Sequence, residues 1–351
     1  MAALTERSRV YALTQGLLAA ALFGVSAPVN KLLLPSLSPL WLASLLYLGA
    51  GAGLSLVRAL RRGRGAEAPL GRTDVPALLG VVLLGGVAGP VLLLLGLSRV
   101  TGVAGSLLLN LEGPLTIGLA VVFLGEHLTR REGLGAALVF CGAAALGLSP
   151  EKGTSDFLGM AMVALACACW AVDNNLSQRL SLKDPVAVVR LKGLLAGAIN
   201  LPLAFAFGQK APGLRSVGAA LVLGAFSYGV SVVLSLRSVR VLGAARGAAL
   251  FASAPFLGAL ASVVLLGERL GLREVFPMAA MVAGVALLAT ARHGHLHTHE
   301  SLVHEHLHVH DEHHQHPHEG PVSEPHSHEH RHDAITHDHP HASDLHHRHP
   351  H

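Results

Sequence analysis

Two groups of residues in this 351-residue chain have types and spacings that bear chemistry. The first is a histidine series. Of 24 histidines, all but His127 lie between His293 and His351. His295, His297 and His299, then His304, His306, His308 and His310, then His313, His314, His316 and His318 stand at nearly every second or third position. Neutral imidazole binds Zn, Ni, Cu and Co, and His-x-His spacing lets several rings reach one ion when the chain bends. The second group is sparse and embedded in apolar sequence: Asn110, Glu112, Pro114, Asp173, Asn174, Asn175 and Arg190. A carboxylate, an amide and a guanidinium kept among apolar residues are candidates for gripping an ion or a polar solute.

The elements that carry the second group follow from composition. With 51% hydrophobic residues, 14% charged and 39 glycines, the chain is too apolar for a soluble domain of its length. A span needs about 20 apolar residues to cross a hydrocarbon core of about 30 Å. Ten such stretches lie near 10–34, 38–60, 75–97, 103–124, 132–149, 156–180, 184–208, 216–239, 243–267 and 273–291. Ten in succession with almost no polar face would be insoluble in water. The reading is therefore an all-α, polytopic membrane protein. The first stretch is too long for a cleavable secretory signal and lacks its small-residue site, so it reads as a retained anchor. With the N-terminus inside, fourteen lysines and arginines fall on the inner side, Arg58, Arg130, Arg131 and Lys183 among them, against six on the outer. That bias places the protein in the cell inner (plasma) membrane with both termini in the cytoplasm. Cys141, Cys167 and Cys169 fall inside helices and read as small hydrophobes, with a soft-metal Cys-x-Cys pair as the alternative.

The chain also repeats itself. "GVAGSLLLNLEGPLTIGLAVVFLGEHLTRRE" from Gly102 aligns with "GAARGAALFASAPFLGALASVVLLGERLGLRE" from Gly243, bringing Pro114 onto Pro255. "FGVSAPVNK" from Phe23 aligns with "WAVDNNLSQ" from Trp170, and Pro39 with Pro185. A five-helix unit is written twice, in residues 1–149 and 150–292, and 293–351 form a third, histidine-rich unit. An odd number of helices per unit makes the second copy enter the membrane from the opposite side. Such inverted repeats around a midplane site are a construction of secondary transporters.

These residues carry a resemblance. The Trp170-Ala-Val-Asp-Asn-Asn run, Arg190, the Pro114 and Pro255 helices, and the paired "GEHLTRREGLGAALVFCG" and "GERLGLREVFPMAAMVAG" are similar to the drug/metabolite transporter superfamily in its EamA-like branch, over about residues 10–291. The resemblance implies a ten-helix bundle and export or exchange of small solutes, often amino acids or related metabolites. The chain departs from the pattern in lacking a first-half equivalent of Arg190, in having Pro28 where Asn174 or Asn175 predicts asparagine, and in its tail.

Glu112 stands about nine residues into its helix, near the midplane at a rise of about 1.5 Å per residue. Asn110 is two residues away, and Pro114 removes a backbone donor from that turn. The group can offer a carboxylate and a loosened carbonyl to a cation, a proton or a substrate amine; holding the bundle together is the alternative. Asp173, Asn174 and Asn175 point about 100° apart, so they cannot all face one cavity. Arg190 and Lys192 are candidate counter-charges, with snorkelling from a helix end as the plainer role for Lys192 and Lys31. Glu126 and Glu268 read as helix-end caps, with a gating ion pair as the alternative. No enzyme, ATP-binding or nucleic-acid signature is present.

The tail carries ten acidic residues against two arginines, hence about minus eight with histidine neutral. It lacks core formers, so disorder is expected. The leading reading is an exporter of small metabolites or amino acids, driven by proton or ion exchange, with a cytoplasmic tail that binds Zn, Ni or Co and needs no other cofactor. The alternatives are efflux of the metal itself and a membrane-tethered metal buffer. The expected partners are the small-molecule or ion substrate and the lipid bilayer, with no nucleic acid and a homodimer left open.

Overall fold

The computed structural model describes residues 6–60, 70–124, 128–148, 156–177, 180, 183–242, 244–290, 293–299, 302–308, 326–332 and 335–341. The region up to residue 290 is helical. The first half contains α1 (Glu6–Gly24), α2 (Ser26–Leu33), α3 (Pro39–Leu60), α4 (Val75–Gly80), a π-helical stretch Val81–Ala88, α5 (Gly89–Leu97), α6 (Gly102–Leu108), a 3₁₀ turn Leu109–Leu111, α7 (Glu112–Leu124) and α8 (Arg130–Gly147). The second contains α9 (Phe157–Ser177), α10 (Pro185–Ala206), α11 (Leu214–Leu223), a second π-helical stretch Gly224–Val230, α12 (Ser231–Leu242), α13 (Ala244–Phe251), α14 (Ala254–Leu266) and α15 (Leu272–Thr290).

Helix starts are written in the sequence. The Thr101 side chain accepts from Ala104 N, Thr129 and Glu132 close a capping box, and Asp184 accepts from Val186 N ahead of Pro185. The interruption before α7 follows from Pro114, which has no N–H to donate to the carbonyl of Asn110. Its repeat equivalent, Pro255, follows the turn that separates α13 from α14.

Among the described residues nine helices are long and apolar enough to cross a membrane, from Val10–Leu33 to Leu272–Thr290. The tenth expected span, 132–149, is α8, 18 residues long. Its first turn is Arg130-Arg131-Glu132, which leaves an apolar run shorter than the others. Large apolar side chains face outward along the bundle, with Phe123 76%, Val264 81% and Phe276 72% exposed. In water that surface would be untenable, and in lipid it is the matching solvent.

The helix pairings keep their pattern when the halves are exchanged. Helix α3 packs on its equivalent α10, and α8 on its equivalent α15. The contact of α1 with α12 is matched by that of α9 with α5. At the α8–α15 crossing, a Cβ on Gly135 would lie 2.8 Å from the Gly284 carbonyl, and one on Gly142 would lie 2.9 Å from that of Pro277. These two approaches are repeat images of each other, and they make the two helices antiparallel. Helices α3 and α10 are antiparallel too, since Ser38 at the start of one donates to Gln209 beyond the end of the other, while Arg58 near its end pairs with Asp184 at the other's start.

In the tail the described segments are β1 (His293–His299), β2 (Leu302–His308), β3 (His326–His332) and β4 (Ile335–His341). Strand β1 pairs with β4 and β2 with β3, both antiparallel. The His-x-His alternation has the period of two of an extended strand.

Candidate functional site

The π-helical stretch Val81–Ala88 is the base of the site. Pro90 has no N–H to give to the carbonyl of Gly85 or of Gly86, five and four residues before it. Side chains from three other helices take them. Tyr47 Oη donates to the Gly85 carbonyl at 2.6 Å and Trp170 Nε1 at 3.0 Å. Asn200 Nδ2 donates to the Gly86 carbonyl at 3.3 Å.

Against this base sits a buried ion pair. Lys192 Nζ donates to Asp173 Oδ2, and Ser177 Oγ donates to Asp173 Oδ1 at 3.2 Å. The two charged side chains are 19% and 6% exposed, so little water screens them. Gly85 makes room for them, because a Cβ there would stand 2.0 Å from Asp173 Oδ2 and 2.7 Å from Lys192 Nζ.

Glu112 begins α7 beside this pair. Its Oε1 accepts from Asn174 Nδ2 at 2.8 Å, and Thr116 Oγ1 donates to its backbone carbonyl at 2.8 Å. No ion pair to Glu112 is formed among the described residues. Glu112 and Asn174 line two cavities, of about 330 and 470 Å³. Asp173, Lys192, Tyr47 and Trp170 line the first, and Asn110, Pro114 and Thr116 the second. Phe23, Ser235 and Phe251 also line both cavities. Phe23 lies 5.1 Å from Phe251 and 5.8 Å from Tyr228, ring centre to ring centre.

Of the residues expected from sequence, Asn110, Glu112, Pro114, Asp173 and Asn174 line these cavities. Asn175 does not; its Nδ2 donates to the Thr116 and Ala171 carbonyls at 3.1 and 2.9 Å. Arg190 lines neither cavity. The counter-charge of Asp173 is Lys192, which the sequence favoured as a snorkelling group. Two residues along a helix turn about 200°, so the face that brings Lys192 inward carries Arg190 away. Lys31 Nζ donates to the carbonyls of Leu97, at 3.0 Å, and Val100, and so sits on the C-terminal end of α5. Glu268 accepts from Gly102 N and Val103 N, both at 2.7 Å, capping α6 from across the repeat boundary. Glu126, His127, His310, His313, His314, His316 and His318 lie outside the described residues. Sequence reasoning missed Tyr47, Phe23, Tyr228 and Phe251; a lone tyrosine in "WLASLLYLGAG" was the one usable signal.

Comparison with known proteins identifies the scaffold. A family model described as the EamA-like transporter family matches twice, at residues 10–148 and 157–290. An uncharacterized transporter of Methanothermobacter thermautotrophicus is 29% identical over 285 residues, covering 76% of this chain and 82% of that one. An uncharacterized protein of Pseudomonas aeruginosa is 31% identical over 181 residues, covering 51% and 62%. A protein solved by crystallography superposes with a TM-score of 0.60 at 20% identity, over 80% of this chain and 98% of its own, a likeness of fold. With both halves of the helical region matched in tandem, this chain is a multi-pass membrane protein that belongs to the EamA-like transporter family.

Proposed function

We propose that the protein is a secondary exporter of small amine-bearing metabolites, amino acids among them, working by exchange with protons or another ion. The observation that carries this reading is Glu112, a carboxylate with an amide partner, no ion pair among the described residues, and access to both cavities. The nearby Asp173 charge is already matched by Lys192, so the cavity walls present one uncompensated negative group, suited to an ammonium or a proton. The aromatic rings in the lining supply an apolar and cation-tolerant surface for the rest of the solute.

The antiparallel run of α3 with α10 and of α8 with α15 supports two inverted repeats, and rocking of one against the other would give alternating access to the site between them. The lysine and arginine bias supports cytoplasmic termini in a plasma membrane. The tail, rich in imidazole, binds divalent Zn, Ni or Co beside the transporter. Metal as cargo has less support: among the described residues no three His, Cys, Asp or Glu side chains come together to hold an ion.

Proteoliposomes carrying the full chain test the reading by efflux of a panel of amino acids and amines under an imposed pH gradient. Glu112→Gln removes a charge-assisted bond worth about 1.5–3 kcal/mol, hence roughly 10- to 150-fold in affinity for the ammonium solute. Efflux that persists unchanged in Glu112→Gln would refute the role of this carboxylate, and absence of efflux for every amine in the panel would refute the substrate class.

A further inference from the structure

The charges on the cavity walls can be counted. Among the residues that line the two cavities, the charged ones are Glu112, Asp173 and Lys192, two negative and one positive. Asp173 is engaged at both oxygens, since Lys192 Nζ donates to Oδ2 and Ser177 Oγ to Oδ1. Glu112 is engaged at one only. Asn174 Nδ2 donates to its Oε1 at 2.8 Å, and its Oε2 accepts no hydrogen bond among the described residues. The walls therefore carry one net negative charge, with a carboxylate oxygen left to accept.

A net charge held away from water is costly, because the low-dielectric surroundings replace little of its hydration. A solute that brings one positive charge cancels it. A solute whose own charges sum to zero does not. An amine without a carboxylate is of the first kind, and an amino acid, with an ammonium and a carboxylate together, is of the second. The cation that these walls offer to an amino acid's carboxylate is Lys192, and Lys192 already holds Asp173. Two carboxylates on one lysine that is 19% exposed repel each other with little screening.

The uncharged lining suits the remainder of such a solute. Phe23 and Phe251 line both cavities, and Tyr47 and Tyr228 line the first. Tyr228 lies 5.8 Å from Phe23 and 5.7 Å from Tyr47, and Phe251 lies 5.1 Å from Phe23, ring centre to ring centre, so the four rings form one continuous cluster. Aromatic faces attract an ammonium and pack on an apolar chain or ring, while their negative quadrupole disfavours a carboxylate. We infer that the preferred solute is a monocationic amine without a carboxylate, built on an apolar or aromatic remainder, and that an amino acid binds more weakly than the amine left when its carboxylate is removed. This rests on the reading of Glu112 as the ammonium site and narrows the class of solute that the site takes.

The test is isothermal titration calorimetry of the full chain in detergent with phenethylamine, phenylalaninamide and phenylalanine, at about pH 6, where the amino group of each is protonated. Phenylalaninamide keeps the bulk of the carboxyl group without its charge. The charge count predicts similar affinities for phenethylamine and phenylalaninamide, and an affinity for phenylalanine at least about 10-fold weaker, because an unmatched like charge opposes it. Glu112→Gln should weaken both amines by at least about 10-fold. Phenylalanine bound as tightly as its amide would overturn the inference, and the ammonium site would stand if Glu112→Gln still weakened both. Phenylalanine and its amide equally weak beside phenethylamine would mean exclusion by bulk, which overturns it as well. Binding of none of the three, or binding that Glu112→Gln leaves unchanged, would overturn both the inference and the ammonium site on which it rests.

Discussion

The two halves of the bundle share a backbone plan and differ in what they place around the cavities. Pro114 and Pro255 follow equivalent breaks, and the spans Arg72–Leu97 and Leu214–Val239 each carry a π-helical stretch, Val81–Ala88 and Gly224–Val230. The position of Glu112 in the first half is Ser253 in the second, and that of Asp173 in the second is Ser26 in the first. Lys192 corresponds to Leu46. Charge thus comes from α7 of one half and from α9 and α10 of the other, and Phe23, Tyr228 and Phe251 add aromatic rings to the same lining. The two halves thus share a scaffold while the cavity lining differs between them in charge and in aromatic content.

The largest test of this asymmetry is to unpair its buried charges. Asp173→Asn leaves Lys192 without its partner, and Lys192→Met does the same to Asp173. Each should cost about 3–5 kcal/mol, read as a lowered thermal midpoint in detergent. The double variant, with no net buried charge, should recover most of that loss. At the equivalent first-half position, Ser26→Ala removes one neutral hydroxyl and should cost about 1 kcal/mol. Comparable losses at 173 and 26 would mean that the two halves are not energetically distinct.

Gly85→Ala comes next. The added methyl would meet Asp173 Oδ2 at 2.0 Å in the present geometry, so the ion pair or the π-helical stretch must shift. Overpacking of this kind costs about 1–3 kcal/mol. The loss should largely vanish in an Asp173→Ala, Lys192→Ala background, which removes the atoms that the methyl would meet, and a double-mutant cycle measures that coupling.

Length and apolarity made the spans legible, and proline made the breaks at 109–111 and 252–253 legible, because both are local properties. The choice between Arg190 and Lys192 was not legible: two positions 200° apart on one helix differ only in which neighbour they meet. The π-helical stretches had no periodic signature either. Pro90 after Gly85-Gly86 is the one trace of the first, and it gains meaning only when Tyr47, Trp170 and Asn200 arrive from other helices to donate to those carbonyls.

The smallest effect separates the two ends of the α3–α10 pair, which are repeat images held by different chemistry. At one end Arg58 Nη1 donates to Asp184 Oδ2 at 3.1 Å, with the arginine side chain 51% exposed. At the other, Ser38 Oγ donates to the neutral Gln209. An exposed ion pair contributes about 0.2–1 kcal/mol and is screened by salt, whose Debye length falls from about 10 Å at 0.1 M to about 3 Å at 1 M. Arg58→Gln should therefore lower the thermal midpoint slightly at low ionic strength and lose that effect at 1 M salt. Ser38→Ala removes a neutral bond, so its small loss should be the same at both salt concentrations. Melting curves of the two variants at both ionic strengths decide the matter, because a shared salt response would show that the ends are alike in chemistry as well as in position.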